Sequence, residues 1–217
     1  MDEATRIRRE MAGEIFDYQA LTSALSDYSK PRDKITRLLA SGAIVRIKKG
    51  LYCFGESLRK GPLSREQIAN LIYGPSYVSL DYALSYHGMI PERVEVVTSV
   101  TTRRSRTFTT PVGSFSYRTL QEARYSTGAI LESGGNTAFL VATPEKALID
   151  RVWTDRRFSG GRVADFEAYL LDDLRIDEEA LSRLDESRLQ SIAFAYGSAK
   201  VNRLVRYLRG REGASHA

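Results

Sequence analysis

Residues 17–54, DYQALTSALSDYSKPRDKITRLLASGAIVRIKKGLYCF, read as two short helices followed by a basic β-hairpin. Asp17 is placed to cap a first helix whose apolar positions, Tyr18, Leu21 and Leu25, follow i, i+3, i+7 spacing. Asp27-Tyr28-Ser29 makes a polar turn. Pro31 then falls in the first turn of a second helix, where its missing N–H is not needed. That helix turns Ile35, Leu38 and Leu39 to one side and stops at Ser41-Gly42, where Gly supplies a left-handed C-cap. Residues 44–47 and 51–54 are β-rich runs joined across Lys48-Lys49-Gly50. Helix, turn, helix and a hairpin with lysines at its tip is the layout of a winged helix-turn-helix. It predicts double-stranded DNA as a partner.

Charge supports this reading. Between Lys30 and Lys60 there are nine basic residues (Lys30, Arg32, Lys34, Arg37, Arg46, Lys48, Lys49, Arg59, Lys60) against two acids, Asp33 and Glu56, while the whole chain is only +5. The basic field is therefore local, as phosphate contact requires. At ~100° per residue, Asp33, Lys34, Arg37 and Ser41 point away from the apolar stripe. The candidate DNA-binding residues are Lys30, Arg32, Lys34, Thr36 and Arg37 on and around the second helix. Arginine there can pair bidentately with guanine in the major groove. Arg46, Lys48 and Lys49 of the hairpin join them, with the tip expected to meet a flanking phosphate or the minor groove. The alternative is a set of ordinary solvated charges around a small helical domain; the helix-turn-helix spacing favours DNA.

Composition sets the outer limits. At 217 residues, 42% hydrophobic and 27% charged, the chain suits one large or two small globular domains and excludes a disordered tail or a fibre. Cys53, the one cysteine, lies in an apolar β-rich run and excludes an intrachain disulfide framework. No apolar run approaches the ~20 residues of a membrane helix, and residues 1–16 lack a signal-peptide core. No membrane association and a cytoplasmic location are the expectation. Ile7 and Met11, at i, i+4, suit a first helix of the N-terminal domain.

Residues 1–61 are thus expected to form a winged helix-turn-helix DNA-binding domain and residues 62–217 a second, α+β domain, with Gly55 to Pro62 as linker. Ser64 caps a helix with Ile68, Leu71 and Ile72 inward, closed by Gly74-Pro75. Ser79 opens another with Leu80, Ala83 and Leu84 inward, closed at Gly88. Strands are expected at 94–100, 106–110, 113–117 and 137–141, with turns at Gly113, Gly128 and Gly134-Gly135. Pro144 starts a helix over 144–153 burying Ala147, Leu148 and Val152. The last sixty residues have helical spacing in Phe166/Tyr169/Leu170, Leu181/Leu184, Leu189/Ile192/Ala193/Tyr196 and Val201/Leu204/Val205/Leu208. The fold class expected is α+β, a winged domain followed by a mixed α/β domain that ends in helices.

Three segments carry a resemblance: VRIKKGLYCF (45–54), YVSLDYALSYHGMIPERVEVVTSVTTRRSRTFTTPVGSFSYRTL (77–120) and ATPEKALIDRVW (142–153). In this order they resemble the AbiEi antitoxin family of bacterial abortive-infection toxin–antitoxin operons, from about Ile7 to Leu208. The resemblance implies a two-part protein. Its winged domain binds inverted repeats in its own promoter. Its C-terminal domain counteracts a nucleotidyltransferase-like toxin encoded beside it. The residues themselves reach only the first half.

Signs of catalysis are sparse. His87, before Gly88, reads as a capping or packing histidine, and His216 lies in a polar tail. No Cys/His cluster has zinc spacing. Tyr196-Gly197-Ser198 resembles the Gly-Ser of nucleotidyltransferases, a chemistry that needs paired carboxylates for Mg²⁺. Residues 199–211 contain no acid, so a helix break with an N-cap is expected. Glu145 and Asp150, five apart, diverge, and Glu145 favours a helix N-terminus. No enzyme activity, cofactor or metal is expected.

Arg103, Arg104 and Arg106 lie in a Thr/Ser-rich turn: a solvated hairpin tip or a second basic surface. With Lys200 and Arg203 of the last helix they are the candidate antitoxin surface, expected to lie remote from the hairpin tip. Residues 165–186 hold nine acids against Arg175 and Arg183, usually the wet face of helices. Three functions remain: an autoregulating antitoxin and repressor; a winged-helix regulator whose C-terminal domain senses a small ligand; and a nucleic-acid-modifying enzyme.

Overall fold

The chain, described here by a computed structural model over residues 3–215, is mixed α+β, with eleven α-helices and two sheets among the described residues. It begins with α1 (Glu3–Glu10), β1 (Ile15–Asp17), α2 (Tyr18–Ala24), α3 (Pro31–Ala40), β2 (Ile44–Lys48) and β3 (Leu51–Phe54). The signals at the ends of these helices act as expected. Asp17 accepts a 2.7 Å hydrogen bond from the Ala20 N–H, Pro31 stands in the first turn of α3, and Gly42 is left-handed with φ 72°. Tyr18, expected inward, is exposed.

The three strands form an antiparallel sheet in the order β1-β3-β2. Alternation along each strand divides its side chains between two cores. Phe16, Ile44, Tyr52 and Phe54 pack with Ile7, Leu21, Leu25, Ile35 and Leu38 in a small cluster. Ile47, Leu51 and Cys53 face the other way, into the larger core built by the rest of the chain. All four residues of β3 are buried, because both faces of the strand are covered. Gly55 closes the hairpin against α3: its N–H donates to the Ala43 carbonyl at 2.8 Å, and a Cβ there would fall 1.8 Å from the Gly42 oxygen.

The remaining elements are α4 (Arg65–Ile72), β4 (Ser76–Val78), α5 (Leu80–Tyr86), β5 (Val97–Thr101), β6 (Arg106–Thr110), β7 (Gly113–Thr119), α6 (Glu122–Tyr125), β8 (Ala129–Gly134), β9 (Thr137–Ala142) and α7 (Pro144–Thr154). They are followed by α8 (Asp165–Ala168), which runs into a π-helical turn (Tyr169–Asp173), then α9 (Glu178–Ser182), α10 (Glu186–Tyr196) and α11 (Ala199–Ser215). Strands β4 to β9 make one six-stranded sheet, order β6-β7-β5-β4-β9-β8, with parallel pairs β5/β7 and β4/β9. Helices cover both faces. Tyr117 sends its hydroxyl to the Ala69 carbonyl of α4 at 2.6 Å; Tyr77, of opposite parity in the register, sends its own to Asp150 of α7 at 2.9 Å.

Several boundaries differ from the sequence reading. The strand expected at 94–100 starts at Val97. Strands β4 and β8 carried no signal: the first has three residues, and the second is an edge strand with Glu132 and Ser133 in it. Leu71 is exposed while Ala69 takes the inward place beside Ile68 and Ile72. The late helices bury the side chains their spacing marked, from Phe166 to Leu208. No helix among the described residues is long and apolar enough to cross a membrane.

Candidate nucleic-acid interface

Helix α3 buries Ile35 and Leu38 and exposes Arg32, Asp33, Thr36, Arg37 and Ala40. Arg37 stands on this exposed face, opposite the buried stripe. Thr36 is tied to its own helix, its hydroxyl donating to the Arg32 carbonyl at 3.0 Å. Lys34 lies at the edge of the face, half-buried, with its ammonium 4.8 Å from the centre of the Tyr28 ring. Lys30 precedes the helix as its exposed N-cap residue, and Arg46 and Lys49 of the hairpin are exposed as well. The exposed cations Lys30, Arg32, Arg37, Arg46 and Lys49 thus stand on one small unit.

Lys48 behaves differently. The register of β2 on β3 shifts between Arg46 and Lys48, a bulge that sets Lys48 opposite Leu51, on the face toward the larger core. Its ammonium donates to the carbonyl of Ile72, the last residue of α4, satisfying an orphan acceptor at the helix C-terminus. Burial, and then the charge of Arg103, push the Lys48 pKa below its ordinary value. A flanking phosphate, the partner expected for Lys48, is replaced here by a protein carbonyl.

The same contact locates the Arg103 turn. Tyr73, next to Ile72, donates its hydroxyl to the Arg104 carbonyl at 3.2 Å, and the Arg103 guanidinium lies 5.7 Å from the centre of the Tyr73 ring. The turn between β5 and β6 therefore sits beside the hairpin tip, not remote from it as the sequence suggested. Arg106 covers Phe108 at 5.3 Å. Lys200 and Arg203 of α11 serve a different region: Lys200 Nζ donates to the Asp155 carbonyl at 2.8 Å and Arg203 Nε to the Gly160 carbonyl at 2.6 Å. Both side chains close the loop after α7. Among the described residues no hydrogen bond or ion pair joins them to the Arg103 turn.

A group of catalytic appearance lies inside the second part and was missed in the sequence. Lys146 and Asp150, one turn apart on α7, are 3.0 Å apart with both side chains 0% exposed. Asp150 also accepts from the hydroxyls of Tyr77 (2.9 Å), Ser79 (2.7 Å) and Tyr196. Lys146 also donates to Tyr196 Oη at 2.8 Å and to the Arg124 carbonyl at 2.5 Å, so its three protons are all used. Burial pushes the lysine pKa down against the pull of Asp150, and burial followed by Asp150 pushes both tyrosines up. No substrate reaches the enclosed pair in this conformation; it ties α7 to β4 and α10. The signal was present as a Lys–Asp i,i+4 pair inside an apolar helix.

The other residues raised in the sequence have structural partners. Glu145 accepts from the Asp185 N–H at 3.0 Å and lies 3.3 Å from Arg188, turned away from Asp150 as expected. His87 is the C-cap residue of α5, and its Nε2 contacts the Ala142 carbonyl at 2.7 Å, which fixes the proton on that nitrogen. Gly197 caps α10 in the left-handed region with φ 54°. His216 lies outside the described residues. In the acidic stretch, Asp177 and Asp185 cap α9 and α10, and Glu178, Glu179 and Glu186 pair with Arg211, Arg183 and Arg209. Among the described residues, no three His, Cys, Asp or Glu side chains are grouped to hold a metal ion.

Neither a family model nor a curated protein matches this sequence. The fold does have a likeness. It is similar to the crystal structure of the RV2827C protein from Mycobacterium tuberculosis, with a TM-score of 0.52 over 94% of this chain and 81% of that one. The two are 17% identical, so the likeness shows a shared fold and nothing about activity.

Proposed function

We propose that this chain is a DNA-binding antitoxin that represses its own operon. In this reading residues 1–61 act as a winged helix-turn-helix on inverted repeats in the promoter, and residues 62–217 counteract a nucleotidyltransferase-like toxin. The observation that carries the DNA half is the order α1-β1-α2-α3-β2-β3 with sheet order β1-β3-β2, in which α3 turns Arg32, Thr36 and Arg37 outward and Lys30, Arg46 and Lys49 are exposed on the same unit. A helix with a basic outer face next to a basic hairpin fits a major groove with phosphates on either side. The toxin half rests on the sequence resemblance to the AbiEi antitoxins, and the reading requires a cytoplasmic protein.

Mobility shifts on the protein's own promoter test the DNA half. Arg37→Ala should cost about 1–3 kcal/mol and relax sequence preference. Lys49→Ala should weaken all sequences alike and flatten the salt dependence. Unchanged affinity in a combined Arg37, Arg46 and Lys49 variant refutes this surface as the DNA interface. Growth rescue on co-expression with the product of a neighbouring nucleotidyltransferase-like gene tests the other half; failure to rescue removes the antitoxin role.

A further inference from the structure

A polar cleft of about 830 Å³ is lined by residues of β7 together with residues at the start of α5 and the end of α7. Ser116 and Arg118 of β7 form one wall, and Arg151, Arg156 and Arg157, at the end of α7 and just beyond it, form the other. Trp153, half-buried with the Arg124 guanidinium 4.3 Å from the centre of its ring, lines the cleft as well, and Leu80 reaches it from the core at 5% exposure. The volume lies within the range of about 300–1,000 Å³ typical of small-ligand sites.

The charges in this cleft are unequal in their engagement. Arg151 is fixed by Asp81 at 2.6 Å and Asp155 at 2.8 Å, and its Nη2 has no partner among the described residues. Arg118, Arg156 and Arg157 line the same space with no ion pair or side-chain hydrogen bond among the described residues. The lining therefore holds four guanidinium groups against two carboxylates, both already used by Arg151. Leu80, on the wall, is held at φ 59°, a left-handed conformation costly for a branched side chain and commonest where a site demands it.

We infer that this cleft binds a nucleoside polyphosphate. Guanidinium forks pair with phosphate oxygens two at a time, and several of them around one concavity suit a chain of phosphates better than a single carboxylate. Trp153, in the lining, receives the base. Arg151, held rigid from both sides, sets the position of the first phosphate, while Arg118, Arg156 and Arg157 close on the rest. No residue of α3 lines the cleft.

The test is calorimetric titration of the full chain with ATP, GTP and inorganic tripolyphosphate, without DNA, read in parallel through the fluorescence of Trp153, the only tryptophan. The expected result is one saturable site per chain, with tripolyphosphate weaker than the preferred nucleotide and a change in Trp153 emission. Arg118→Gln, and separately Arg156→Gln with Arg157→Gln, should each weaken binding about tenfold or more. These side chains are exposed, so the melting temperature of the unliganded protein should not move. Arg37→Gln should bind as the parent does. Absence of saturable binding, or arginine variants that bind like the parent, overturns the site. Equal affinity for tripolyphosphate, or a single-stranded RNA binding far more tightly than any mononucleotide, overturns the nucleotide assignment.

Discussion

Lys146 Nζ lies 3.0 Å from Asp150 Oδ1, and neither side chain is exposed to solvent. Removing one partner leaves the other charged and enclosed, which costs more than the pair itself contributes. Lys146→Met and Asp150→Asn should each destabilise the protein by about 3–5 kcal/mol. The double variant should fall short of their sum, because each single change breaks the same network. Urea unfolding followed by Trp153 fluorescence measures all three; a cost below about 1 kcal/mol for either single change contradicts this account.

Gly55 predicts a second large effect. A methyl group there meets the Gly42 carbonyl oxygen at 1.8 Å, and both atoms belong to backbone that α3 and the hairpin hold in place. Gly55→Ala should therefore exceed the ~1–3 kcal/mol of ordinary overpacking. At Gly61 an added Cβ meets nothing within 4 Å, so Gly61→Ala is the matched control, expected within about 0.5 kcal/mol of the parent. Similar melting temperatures for the two variants contradict the clash.

Acid stability depends on Asp155. Burial raises its pKa, but hydrogen bonds from Arg151, the Arg157 N–H and Tyr169 outweigh it and bring the carboxyl down to about 2. The group therefore contributes stability that is complete above its unfolded value near 3.9 and is lost as pH falls through the folded one. Between about pH 4 and 2, the parent should lose stability more steeply than Asp155→Asn. Parallel acid unfolding curves for the two proteins argue against this role.

The fragment 1–61 should fold poorly, although its elements are complete. Cutting there uncovers Ile47, Leu51 and Cys53, which are at most 5% exposed in the whole chain. These side chains form an apolar face that a ~60-residue unit has little reserve to leave in water. A broad, weakly cooperative circular dichroism melt is expected. A sharp transition near that of the full chain shows that the small core suffices alone.

Charge reversal at Arg103, Arg104 and Arg106 separates two surfaces. Because this turn adjoins the Lys48 and Lys49 hairpin tip, promoter affinity should fall, and more at low salt than at high salt. Lys200→Met should leave promoter affinity unchanged. Affinity that survives the reversal while toxin rescue is lost moves the turn from the DNA footprint to the antitoxin surface.

Local signals were legible in the sequence where the chain answers to its near neighbours. Asp17, Pro31 and Gly42 each act within a few residues of themselves, so α2 and α3 could be drawn from their caps. The candidate interface was legible for the same reason, since outward positions on α3 follow from helical periodicity. Lys48 was not: a one-residue register shift decides which way it points, and its acceptor is 24 residues away. The Lys146–Asp150 pair was visible as spacing, but its enclosure is made by Tyr77 and Tyr196, 73 residues before Asp150 and 46 after it. Strand β8 pairs only at the sheet edge, where no alternation is enforced by burial.

The three-stranded sheet, with a face in each core, acts as a drive shaft between the two halves of the chain. Helix α3 is packed through Ile35 and Leu38 on one face, and the body holding the six-stranded sheet is packed on the other. The pitch of α3 is thus geared to that body and not left to a slack tether. Under the proposed reading, two copies on inverted repeats would be held at a spacing set by that body. In the same reading, the angle at which α3 meets a groove is set by the packing of the large body as well as by the helix itself.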